Sequence, residues 1–101
     1  MPIAGYSHAF TKENVDLAPA SPGVYELVQK EAVIYIGKSG TSIRSRLQRH
    51  LNGDEGSCTK AADHYRREVT TAARADTYEA ELLAKYRAAN GKLPRCNERL
   101  P

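Results

Sequence analysis

Glu79 is the first residue that asks for a chemical explanation. Placed on a helix at about 100° per residue, Leu82, Leu83, Tyr86 and Ala89 all fall within about 80° of it, so a carboxylate heads an otherwise apolar face. Glu81 points to solvent. Burying an unpaired carboxylate costs on the order of several kcal/mol, so Glu79 calls for a metal ion, a cation or hydrogen bonds around it. Asp76-x-x-Glu79 also has the spacing of a capping box, in which Glu79 would serve a backbone N–H at a helix start. The segment alone leaves both uses open.

A second group lies upstream. Tyr25 and Tyr35 sit in two adjoining apolar runs, followed by Gly37-Lys38 and then by Arg46 and His50, four residues apart. On a helix that spacing puts Arg46 and His50 on one flank of the Ile43, Leu47, Leu51 stripe, and Arg44 and Gln48 on the other. Phenol, ammonium, guanidinium and imidazole could thus surround one cleft, where they could move protons and neutralise anionic charge. For either tyrosine taken singly, ordinary strand packing is an equally available reading.

The elements that must position these groups can be read in outline. Gly23 to Gln29 and Ala32 to Gly37 are rich in Val, Ile, Leu and Tyr around a break at Lys30-Glu31, which predicts a β-hairpin with the two tyrosines roughly opposite each other. Thr41 or Ser42 can cap a helix running to about Asn52. A short helix over Ser57 to His64, a third strand over Tyr65 to Ala72 and a helix from about Thr77 to Ala89 follow, the last closed by Asn90-Gly91. Residues 1–20 end in Ala-Pro-Ala-Ser-Pro and read as an arm with one helical turn near Thr11 to Val15, leaving residues 21–101 as the domain.

Composition sets the limits. A chain of 101 residues, 41% hydrophobic, supports one compact domain. No apolar run approaches the roughly 20 residues of a membrane span, so a membrane role is not expected and cytoplasmic placement is. Cys58 and Cys96 lie far apart without close Cys or His partners, and are expected as reduced thiols. The formal charge of +3 is uneven: residues 1–37 sum to −2 and residues 38–101 to +5. A basic second part suits a polyanion, with Lys38, Arg44, Arg49, Lys60, Arg66 and Arg67 as candidate phosphate contacts.

Five of these features occur in an order that resembles one family. Gly23-Val24-Tyr25, Tyr35-Ile36-Gly37-Lys38, Arg46-Leu47 with His50, then Glu79-Ala80-Glu81-Leu82-Leu83, and finally Asn97-Glu98-Arg99-Leu100 are similar to the ordered motifs of GIY-YIG nucleases, especially the bacterial excision-repair member. The likeness runs from about Ser21 to Leu100. It departs from the pattern in three places. Valine replaces the middle isoleucine of the first tripeptide. The loop before Arg46 is one residue longer, which keeps Arg44 as runner-up for the arginine. The stretch before Asn97 is also longer, which leaves Asn90 as an alternative.

The resemblance implies an α+β fold with a small three-stranded, mainly antiparallel sheet flanked by helices. It also implies a metal-dependent endonuclease, with DNA as the expected substrate and DNA repair as the setting. In that reading Glu79 is the only protein ligand of one Mg²⁺ or Mn²⁺, Arg46 braces the phosphoryl oxygens, and His50 and Asn97 position phosphate or water. One tyrosine is the general base, Tyr25 ahead of Tyr35, its pKa lowered by Lys38. The alternative is a non-catalytic nucleic-acid-binding or partner-binding module on the same fold. No zinc finger or helix-turn-helix is recognisable in the chain, so a separate DNA-targeting protein is a natural partner.

Overall fold

The computed structural model describes Ile3 and residues 7–97; the Glu98-Arg99-Leu100 part of the tail motif lies outside them. In chain order the elements are β1 (His8–Ala9), α1 (Lys12–Asp16), β2 (Gly23–Gln29), β3 (Ala32–Ser39), α2 (Ile43–Asn52), α3 (Ser57–Lys60), β4 (His64–Val69) and α4 (Ala72–Asn90). The strands form one sheet in the order β1-β4-β2-β3, and every neighbouring pair is antiparallel. This is the expected α+β arrangement with one further, two-residue strand.

That strand comes from the segment expected as an arm. Residues 7–20 are in fact built into the domain: Phe10, Val15 and Ala18 are buried in the same cluster as Tyr25, Leu27, Ile43 and Leu47. Alternation along β2 explains the two cores. Tyr25 and Leu27 face α1 and α2, while Val24 joins Ile36, Ala75 and Leu82 on the α4 side. Glu26 shares the second face and is fully buried, because the register sets it directly opposite Arg66, whose Nη1 donates to Glu26 Oε1 at 2.7 Å.

The hairpin turns at Lys30 and Glu31, both with positive φ (51° and 69°), as a two-residue connection requires. The tyrosines are not opposite each other. Tyr25 pairs with Gly37 and Tyr35 with Leu27, because the ladder slips between Leu27 and Val28 and leaves Ile34 as an extra residue on β3. Without that bulge Tyr35 would stand opposite Glu26 and turn to the other face. With it, the two phenols share a face on a diagonal, ring centroids 6.1 Å apart.

Helix α4 begins at Ala72 rather than Thr77. Ala72, Ala73 and Ala75 are strong helix formers, and Thr71 caps the start by accepting from the Arg74 N–H at 3.1 Å. Asp76 is therefore inside the helix and the proposed capping box does not form. The third strand is shorter than expected, ending at Val69, and α3 is a single turn.

The cysteines also depart from expectation. Cys58 and Cys96 form a disulfide, with Cα atoms 5.7 Å apart. Separation along the chain was a poor guide, because the C-terminal segment returns along the free edge of β3. There the Cys96 N–H donates to Ile34 O at 2.8 Å, carrying the Cys96 side chain into the core beside Cys58.

Candidate active site

Helix α2 supplies two site residues and the sheet holds their partners. Ser42 caps the helix by accepting from the Ser45 N–H, and Ile43 and Leu47 anchor the buried stripe. Arg46 and His50 then fall on the flank facing the tyrosines. His50 Nε2 lies 2.8 Å from the Tyr25 hydroxyl, and the His50 ring is 5.5 Å from the Tyr25 ring and 5.0 Å from that of Tyr35. Arg44, on the opposite flank, donates to Ala18 O, and Gln48 donates to Asp16. The helical argument thus separates Arg46 from Arg44 as expected, and Arg44 is engaged with the fold rather than free for phosphate.

Room for this cluster depends on Gly37. A Cβ there would come within 2.6 Å of the Tyr25 ring and 2.7 Å of the Tyr35 ring. The glycine opposite Tyr25 is what lets the phenol lie across the hairpin.

Electrostatics tie the group together. Burial pushes the Tyr25 phenol well above its ordinary value, Tyr35, Glu55 and Glu79 add to the rise, and Arg46 opposes it. Burial raises Tyr35 as well, again against Arg46. The cation acting on both phenols is therefore Arg46, and not Lys38 as expected. Lys38 is drawn to Asp76, with which it forms an ion pair. Burial and the adjacent Arg46 push His50 down to about 4, so the imidazole is neutral at pH 7.

Glu79 is half-buried on α4. Burial raises its pKa first, Asp76 adds to this, and Lys38 and Arg46 oppose it. Its carboxylate has no hydrogen-bond or ion-pair partner among the described residues, although its charge is felt by both tyrosines, by Lys38 and by Arg46. Buried Arg46 Nε likewise has no hydrogen-bond partner there. An anion and a guanidinium, both underused, act electrostatically on one phenol pair. A site of this composition can accept a cation at one end and phosphate oxygens at the other. Among the described residues no three of His, Cys, Asp or Glu gather as a metal cluster.

Asn97 reaches the site indirectly. Its Oδ1 accepts from the Ile36 N–H at 2.8 Å and its Nδ2 donates to Ile36 O at 2.9 Å, so both polar ends of the amide clamp the free edge of β3. Asn90 is remote from this, donating to Tyr86 O at the end of α4. The expected phosphate patch is divided. Arg66 is committed to Glu26, Arg67 stands opposite Tyr25 on the other face of β4, and Arg49 pairs with Glu55. Lys60 is exposed on α3.

Three contributors escaped the sequence. Asp76 holds Lys38. Glu55, in the loop after α2, acts on Tyr25, Tyr35, Arg46 and His50. Thr59 Oγ1 lies 2.9 Å from His50 Nδ1. A one-turn helix has no periodicity to mark Thr59 as buried, and loop composition gave no sign of Glu55.

Comparison with known proteins follows the same lines. Residues 21–92 match the family profile of the GIY-YIG catalytic domain. The GIY-YIG N-terminal endonuclease domain of UvrC from Thermotoga maritima, bound to its catalytic divalent cation magnesium, superposes with a TM-score of 0.69 at 32% identity, covering 85% of this chain and 93% of that one. A tyrosine-to-phenylalanine mutant of the same domain, also with its divalent cation, gives 0.69 at 32% identity over 87% and 94% of the two chains. An asparagine-to-alanine mutant gives 0.69 at 31% over the same shares. No curated protein matches the chain in sequence.

Proposed function

Because the chain belongs to the GIY-YIG family of nucleases, we propose that it is an endonuclease that hydrolyses phosphodiester bonds in DNA, with the chemistry at Tyr25, Tyr35, Arg46, His50 and Glu79. The observation that carries this reading is that unpartnered Glu79 and Arg46, whose buried Nε has no hydrogen-bond partner among the described residues, both act electrostatically on the same two phenols. Glu79 would hold the Mg²⁺ or Mn²⁺, as its only protein ligand. The bound ion would supply charge neutralisation at the phosphoryl group and ease departure of the leaving oxygen.

Arg46 braces the non-bridging oxygens as charge builds on them. Tyr25 is the base: its hydroxyl lies 2.8 Å from Nε2 of the neutral His50, a nitrogen able to accept the phenol's own proton as the oxygen takes one from the attacking water. Burial of the resting phenol agrees with a group that ionises only during this exchange. Tyr35, less buried than Tyr25, is the second reading for the base. Asn97 acts through Ile36, holding the strand that carries Tyr35 and Gly37. Lys38 and Lys60, and Arg49 from its surface pair, supply phosphate contacts that weaken with salt.

A repair setting and a separate DNA-targeting protein remain part of the proposal. Cytoplasmic placement does too, although the Cys58–Cys96 disulfide weighs against a reducing compartment. Incubating the protein with labelled linear, branched and single-stranded DNA and RNA, in Mg²⁺, Mn²⁺ or EDTA, tests the reading. Cation-dependent cleavage of DNA supports it. Binding without cleavage in every cation favours the non-catalytic module.

A further inference from the structure

We propose that Thr59 is a positioning residue of the site, fixing the tautomer of His50 and through it the direction of the Tyr25 hydroxyl. The inference rests on the active-site reading above. It starts from a chain of three buried groups drawn from three elements: Thr59 on α3, His50 on α2 and Tyr25 on β2, which are 3%, 1% and 0% exposed. The contacts are 2.9 Å from Thr59 Oγ1 to His50 Nδ1 and 2.8 Å from His50 Nε2 to Tyr25 Oη. Both imidazole nitrogens are therefore occupied by oxygen, and neither contacts solvent.

A neutral imidazole carries one N–H and one lone pair, so only two arrangements exist. In the first, Nδ1–H donates to Thr59 and Nε2 accepts from the Tyr25 O–H. In the second, Nε2–H donates to the Tyr25 oxygen, whose own hydrogen must find another acceptor. Arg46 lies beside that oxygen and is donor-only, so it competes for the oxygen's lone pairs and offers the O–H nothing. The first arrangement gives both imidazole nitrogens and the Tyr25 O–H a partner within the chain of contacts. Thr59 then supports it, because its hydroxyl oxygen accepts from an Nδ1–H that would otherwise be buried without a partner. The charged and titratable groups around the ring are Tyr25, Tyr35, Arg46, Arg49 and Glu55, and the oxygen 2.9 Å from Nδ1 is that of Thr59.

Two variants separate this role from simple packing. Thr59→Val keeps the shape and removes the oxygen, whereas Thr59→Ser keeps the oxygen. In histidine-labelled protein without metal or DNA, nitrogen NMR distinguishes a protonated from an unprotonated ring nitrogen. Parent and Thr59→Ser should show Nδ1 protonated and Nε2 unprotonated, and Thr59→Val should lose that pattern. With labelled branched DNA and Mn²⁺, Thr59→Val should lower kcat about tenfold or more with KM unchanged, and Thr59→Ser should recover most of it. A folded Thr59→Val protein that retains the parental nitrogen pattern, or changes it while cleaving at the parental rate, overturns the proposal. If the parent itself cleaves nothing, the nuclease reading fails while the nitrogen spectra still decide the tautomer.

Discussion

Removing the Cys58–Cys96 bridge gives the largest stability change that the structure allows to be worked out. The cross-link spans 38 residues. Opening a loop of that size returns about 13 cal/mol/K of chain entropy to the unfolded state, or about 4 kcal/mol at 25 °C. For a domain of 101 residues this corresponds to a fall in Tm of roughly 15–20 °C. Guanidinium and thermal unfolding of the oxidised parent, the reduced parent and Cys58→Ala/Cys96→Ala would measure it. The reduced parent isolates the cross-link, and the double variant adds a smaller core loss at Cys96. Because Cys58 adjoins Thr59 and Cys96 adjoins Asn97, cleavage by the reduced protein should also decline at temperatures where it is still folded. Two freely titrating thiols in the untreated protein, or a stability difference below about 1 kcal/mol, would refute the reasoning.

The other predictions follow from individual contacts. Arg46→Ala should lower turnover about a hundredfold or more, whereas Arg44→Ala should cost only the bond to Ala18 O, about 1 kcal/mol of stability; equal losses of activity would mean the two flanks of α2 are misassigned. Gly37→Ala should destabilise by about 1–3 kcal/mol, because its methyl meets both tyrosine rings, and denaturant unfolding would show it. His50 is held down to about 4, so between pH 6.5 and 4 the unfolded chain binds a proton that the native state refuses, and stability falls as pH drops through that window. The His50 share is roughly 2 kcal/mol between pH 7 and 4.5, and His50→Gln should lose that much less on acidification.

Much of the fold was legible in the sequence where periodicity was strong. The hairpin runs and the Ile43, Leu47, Leu51 stripe placed β2, β3 and α2, and helical geometry put Arg46 beside His50 and away from Arg44. What failed to show was tertiary. A bulge at Ile34 decides which face Tyr35 takes, and nothing in an unbroken apolar run marks one. The start of α4 is hidden because Asp76-x-x-Glu79 imitates a cap, while the true cap, Thr71, precedes a plain alanine-rich turn. Proximity in sequence points Lys38 toward the phenols, but Asp76 on α4 takes it. The disulfide and the Asn97 clamp both depend on the C-terminal segment returning to the edge of β3, which chain separation hides.

Glu79 tests the central claim most directly. With α4 starting at Ala72, no capping role competes with cation binding, and glutamine keeps the side chain's size while removing its charge. Glu79→Gln should fold at least as stably as the parent, since a half-buried charge without a hydrogen-bond or ion-pair partner among the described residues is removed. It should still bind DNA, lose measurable affinity for Mn²⁺, and turn over orders of magnitude more slowly. Glu81→Gln breaks only an exposed pair with Arg74 and should cleave almost normally. A folded Glu79→Gln protein that cleaves DNA at the parental rate in Mg²⁺ or Mn²⁺ would contradict the account.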